Sequence, residues 1–260
     1  MNAHANRVLI LTATLFAAVA LHAAEPSGTE IMQAVYDRPQ GKDVQGTLTM
    51  TLVDSKGKER VRSLRQVTGT FASGEKKLMV FLGPADVRGT SFMNWSYEEA
   101  GRSDDQWIYL PALKRVKRIS SEGRGDSFMG SDFTYDDLGD RHPSEDEHRV
   151  TGSESIAGED CWIVESVPRD PKDLYSRTVT WVSKKTMVGV KREYYDHRGA
   201  LLKTLTISKL ESISGVWVIL KTEMRNVQKN TSTRIEFSEV KVNSGIPEDE
   251  FTERAMTRGL

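Results

Sequence analysis

From Val44 onward the chain alternates. In VQGTLTMTLVD, residues 44–54, Leu48, Met50 and Leu52 share one phase and threonines fill the other. That is the period of a strand with one dry face. Similar patterns predict strands at 59–71, 76–82, 87–97, 106–110 and 115–119. They return at 148–156, 161–167, 178–183, 189–195, 201–210, 216–226 and 232–242. Short turn signals separate neighbours: Ser55-Lys56-Gly57, Gly158, Asp196-His197-Arg198-Gly199 and Ser214-Gly215. Helical periodicity between them is weak. Close spacing without helices predicts an antiparallel meander, not a parallel α/β sheet. So many strands exceed a flat sheet and should curl into a barrel or half-barrel. One helix is predicted ahead of them. Ser27 or Thr29 caps it, Ile31, Ala34 and Val35 share its apolar face, and Pro39 ends it.

The alternation stops at SFMGSDFTYDDLGD, residues 127–140. Ser131 or Asp132 is a suitable N-cap, 133–138 would form one or two helical turns, and Gly139 would close them. The aspartates lack an EF-hand's glycine and terminal glutamate, so they are expected to cap the turn and face water. Asn replacements at Asp132, Asp136 and Asp137 should then be mild. The aromatics need another role. Phe128, Met129, Phe133 and Tyr135 suggest the apolar face of a lid.

The N-terminus bears on location. Arg7 precedes the uncharged apolar run Val8–Ala20, and Ala23-Ala24 follows. This predicts a signal peptide over 1–23, cut after Ala23 or Ala24, and export of 24–260 as a single domain. Cys161 is the one cysteine, so no intramolecular disulfide forms and the core alone must hold the fold. In DCWIVESVP it reads as a small buried strand residue. A net charge of -1 calls for no nucleic acid. His142, His148 and His197 lack the spacing of a zinc site, and no G-x-S-x-G, H-E-x-x-H or P-loop motif occurs. Lys114, Arg115, Lys117 and Arg118 read as a solvated strand face.

Three stretches carry a resemblance: GTSFMNW (89–95), DDQWIYLPALKRVKRI (104–119) and SFMGSDFTYDDL (127–138). After a signal peptide, they resemble the LolA-like branch of outer-membrane lipoprotein-sorting proteins, a branch distinct from LolA proper. The resemblance implies a curved antiparallel sheet forming an incomplete β-barrel, with a helical cover and an apolar cavity for acyl chains. It implies a periplasmic, monomeric carrier of a lipid or lipoprotein, without catalytic residues, cofactor or metal. An RND-type inner-membrane transporter is the implied partner. Candidate contacts are Phe92, Trp95, Trp107, Tyr109, Phe128, Met129, Phe133 and Tyr135. Trp107 and Tyr109 share one strand face and Ile108 and Leu110 the other; alternation leaves open which faces the cavity. Two rivals stand: a non-catalytic accessory subunit of such a transporter, and a metal-dependent hydrolase built on Asp132–Asp140.

Overall fold

A computed structural model describes residues 25–99, 101–156 and 158–259. The apolar run of the predicted signal peptide lies outside them. Helix α1 (Gly28–Tyr36) opens the described chain. Ser27 caps it: its Oγ accepts from the Glu30 N–H at 3.2 Å, and the Glu30 carboxylate accepts from the Ser27 N–H at 2.7 Å. Thirteen strands follow, all in one sheet. The first half comprises β1 (Asp43–Val53), β2 (Glu59–Phe71), β3 (Gly74–Gly83), β4 (Ser91–Trp95), β5 (Asp105–Leu110) and β6 (Arg115–Arg118). The second comprises β7 (Asp146–Ile156), β8 (Glu159–Pro168), β9 (Arg177–Ser183), β10 (Gly189–Tyr195), β11 (Leu201–Ile213), β12 (Val216–Asn226) and β13 (Thr231–Val242). A short helix, α2 (Glu253–Arg258), follows; the sequence pattern missed it. Among the described residues no helix is long and apolar enough to cross a membrane.

The strand order is β6-β5-β4-β3-β2-β1-β13-β12-β11-β10-β9-β8-β7, and every described pairing is antiparallel. Strands β6 and β7 are the two open edges, so the barrel is incomplete. The predicted strand at 87–97 begins only at Ser91, because 84–89 turns back on itself through Val87 and Arg88 N–H bonds to the Pro84 carbonyl.

This order decides what covers the sheet. The chain starts at the centre with β1 and runs out to the β6 edge. It must then reach the opposite edge to begin β7. Residues 119–145 make that crossing, and they pack against the inner face. Leu48, Met50, Leu52, Leu64, Met79, Phe81 and Phe92 of the wall form one buried cluster with Phe128, Phe133 and Leu138 of the crossover. The other face carries a second cluster. Val67, Leu78, Val80 and Met93 pack there against Phe251, Ala255 and Met256 of the C-terminal segment. Helix α1 covers β7 and β8, and Ile31 and Met32 cluster with Val164 of β8 and Val182 of β9.

Candidate functional site

The crossover is a plug fixed by polar anchors. Alternation along the inner face is broken by polar residues standing in apolar phase, and five of them reach the crossover. Arg62, two residues before Leu64, donates to the Met129 carbonyl. Lys77, two before Met79, donates to the Leu138 carbonyl at 3.2 Å. Gln106, two before Ile108, donates to the Tyr135 carbonyl at 2.9 Å. Thr233, two before Ile235, accepts from the Asp132 N–H at 2.9 Å and donates to its carboxylate at 2.8 Å. Lys203, two before Leu205, pairs with Asp137, and their side chains are only 2% and 3% exposed. Buried carbonyls need donors, and these anchors supply them.

The aspartate expectation is therefore corrected. Asp132 is no helix cap; its carboxylate is held by the Thr231 and Thr233 hydroxyls. Asp137 is buried rather than solvated. It pairs with Lys203, accepts from the Tyr175 hydroxyl at 2.9 Å and accepts from the Thr134 N–H at 2.7 Å. Burial and the facing Asp137 charge push the Tyr175 phenol up, so it stays a donor. The helical turns expected over 133–138 shrink to one 3-10 turn, Asp136–Leu138, a separate 3-10 turn forms at Phe128–Gly130, and Gly139 (φ -76°) is not a left-handed cap. Local capping signals lost here to contacts made far along the chain.

The predicted aromatic residues separate into two groups. Phe92, Phe128, Met129, Phe133 and Tyr135 meet on the inner face, with Phe128 ringed by Phe81, Phe92 and Tyr135 at centroid distances of 6.0, 5.4 and 5.6 Å. Trp95, Trp107 and Tyr109 pack with the opposite cluster beneath the C-terminal segment. Trp95 and Trp107 stack edge-on at 5.0 Å there. Ile108 pairs with Phe92 across β4 and β5 and shares its face.

Open space lies beside the plug, under the linker from α1 to β1. Three cavities of about 250, 240 and 270 Å³ adjoin there, and Arg38 and Gln40 line all three. The third is walled by Val44, Thr68, Val218 and Phe237, continuing the inner face beyond the plug. Gly46 leaves room for Phe237; a Cβ there would come within 2.6 Å of the ring. The first lies between α1, the crossover and β8–β10, with Tyr36, Asp136, Asp140, Arg141, Tyr194 and Arg192 among its walls. Sequence reasoning missed Arg38, Arg192 and Lys203. Only Lys203 had a signal, as a lysine in the apolar phase of LLKTL.

Asp136 faces this first cavity. Burial, then the charges of Asp137 and Asp173, push its carboxyl up from 3.8 to about 6. Its neutral form is therefore favoured up to about pH 6, and the carboxylate predominates above that. The stability this gives is complete below the unfolded value near 3.8 and is lost as pH rises through about 6. Asparagine keeps the shape without the charge. Asp136→Asn should leave the melting temperature unchanged at pH 3 and raise stability at pH 8 by about 1–3 kcal/mol. A lower melting temperature for the variant at pH 8 would mean that the charge is favourably held.

The comparisons bear on this geometry. A family model described as "uncharacterized protein" matches residues 73–258. A domain named for outer membrane lipoprotein sorting, from Vibrio parahaemolyticus, is 35% identical, with TM-score 0.83 over 89% of this chain and 98% of its own. A DUF1329 family protein from Desulfovibrio piger is 31% identical, with TM-score 0.83 over 88% and 97%. The chain belongs to this LolA-like family. A LolA superfamily protein from Nitrosomonas europaea, 19% identical, shares the fold of the LolA-like chain with TM-score 0.67 over 88% and 99%. No curated protein matches the LolA-like chain by sequence. The incomplete barrel expected from the sequence is thus the observed fold.

Proposed function

We propose that the protein is a non-catalytic periplasmic carrier that seats acyl chains of a lipid or lipoprotein on the inner face of the half-barrel. One observation carries this reading. The inner face runs on past the plug into open space, where Val44, Val218 and Phe237 stand beside the polar Gln66, Thr68, Glu75 and Lys77. Each cavity alone falls short of the roughly 300–1,000 Å³ of ligand pockets. Movement of Arg38 and Gln40 would join them into that range. Burying about ten methylenes gives about 8 kcal/mol, which corresponds to binding near 1 μM. The family's lipoprotein-sorting relative supports the same class of ligand. Removal of 1–23 as a signal peptide, leaving 24–260 as one domain, would place it in the periplasm. An RND-type transporter is the partner that the sequence resemblance suggests.

A native mass spectrum of the periplasmic protein tests both parts. It should show a chain beginning at Ala24 or Glu25 with co-purified lipid. Thr68→Trp should fill the third cavity and weaken binding of a fluorescent fatty-acyl probe at least tenfold, with an unchanged melt. Absence of lipid together with unaltered probe binding in this variant would leave the transporter-accessory reading instead.

A further inference from the structure

The cavity between α1, the crossover and β8–β10 contains more charge than its protein contacts use. Several groups there are already satisfied. Arg141 binds Asp146 through its Nε at 2.9 Å and Asp173 at 2.8 Å. Asp137 belongs to Lys203. His148 has Ser166 Oγ and the Pro143 carbonyl at its two ring nitrogens, each at 2.8 Å. Four charged groups remain. Arg38, Arg192, Asp136 and Asp140 line the cavity, and none forms an ion pair among the described residues. Arg38 donates one Nη1 bond to the Val35 carbonyl at 3.0 Å, while its buried Nε has no hydrogen-bond partner among those residues. Arg192 uses its Nε on Thr180 Oγ1 at 2.9 Å. Asp140 accepts only from the adjacent Arg141 N–H, at 3.0 Å, and lies at the exposed mouth.

We propose that this cavity seats a phosphate–ammonium zwitterion, with Arg38 and Arg192 taking the phosphate and Asp136 and Asp140 the ammonium. Charges of both signs that form no ion pair around one small space suit a ligand that answers both. An anion alone would satisfy the guanidiniums and leave the carboxylates; a cation alone would do the reverse. The guanidinium fork matches phosphate oxygens, and the free Arg38 Nε–H is one tine of it. The Tyr36 ring in the cavity wall suits an ammonium neighbour. Arg38 also borders the cavity walled by Val44, Val218 and Phe237, so one phospholipid could place its head here and its tail along those side chains. In that lipid form the inference rests on the acyl reading. The same chemistry is carried by soluble phosphoethanolamine.

The full chain is titrated with dihexanoyl phosphatidylethanolamine, dihexanoyl phosphatidylglycerol, dihexanoylglycerol and free phosphoethanolamine, with a melt of each variant. The ethanolamine lipid should bind about tenfold more tightly than the other two lipids, the scale of one charge-assisted hydrogen bond. Arg38→Ala should remove the advantage of the ethanolamine lipid over dihexanoylglycerol measured with the same variant, and Arg38→Lys should restore part of it. Asp136→Asn should shift preference toward the glycerol headgroup. Phosphoethanolamine binding without lipid binding supports the site and removes the acyl reading. Equal affinity for the three lipids, unmoved by the variants, overturns the headgroup site and leaves the acyl reading standing. Failure of all four probes overturns both.

Discussion

Asp137→Asn is expected to destabilise the protein by about 3–5 kcal/mol, the scale of breaking one partner from a buried ion pair. The reason is the ammonium left behind. Lys203 is 2% exposed and has no other carboxylate in an ion pair among the described residues. The Tyr175 and Tyr194 rings lie 4.9 and 5.0 Å from its Nζ, and they offset only part of the lost charge. Asparagine can still accept from Tyr175 through Oδ1, but its Nδ2 then replaces the oxygen that accepts from the Thr134 N–H and Lys203, so the variant removes the charge and one acceptor. Adding Lys203→Met to Asp137→Asn should recover much of the loss, because no unpaired charge then remains. Urea unfolding measures both. Hydrogen exchange should locate the effect in 119–141 before the rest of the sheet. A loss under about 1 kcal/mol, the surface-pair range, would show that the pair is effectively wet.

Phe128→Ala should cost about 3–5 kcal/mol for a different reason, loss of a fully buried ring and the void that remains. Phe128 is 0% exposed and fills the space between Phe81 and Phe92. If the inner face is where acyl chains sit, the void enlarges that surface. Probe affinity per folded molecule should therefore be kept or increased, whereas simple deletion of a lid contact would weaken it. The two effects separate by pairing a melt with a probe titration below the unfolding range. Weaker binding by a still-folded variant would make Phe128 a direct ligand contact and not a space-filler.

These two residues also show what the sequence made legible. The strands could be read because hairpins are local and their alternation is decided by neighbours two positions away. LTMTL already displayed its dry face. The plug was visible as an aromatic interruption, but not its burial. Asp137 looked like a turn residue because its partner, Lys203, lies 66 positions away. No local window contains both. A broken alternation was the available clue: Arg62, Lys77, Gln106 and Lys203 each occupy a phase that should be apolar, and each is an anchor. Trp95 lies three positions after Phe92 on one strand, so alternation itself separates them; what the pattern missed was α2, a short element with few periodic positions, which packs on the outer face. The cavity at Arg38 was illegible because it is defined by what the crossover leaves uncovered.

The strand order has a consequence for how the molecule assembles. Every pairing in the sheet joins consecutive strands except β1 with β13, where Val44 meets Val242. Each half of the sheet can grow by nearest-neighbour zippering, with short loops to close. The central seam must instead bring together residues almost the whole described chain apart, and the entropy of that closure falls on a single ladder. The long-range cost of strand pairing is therefore concentrated at the middle of the sheet, while its exposed outer strands belong to locally formed ribbons.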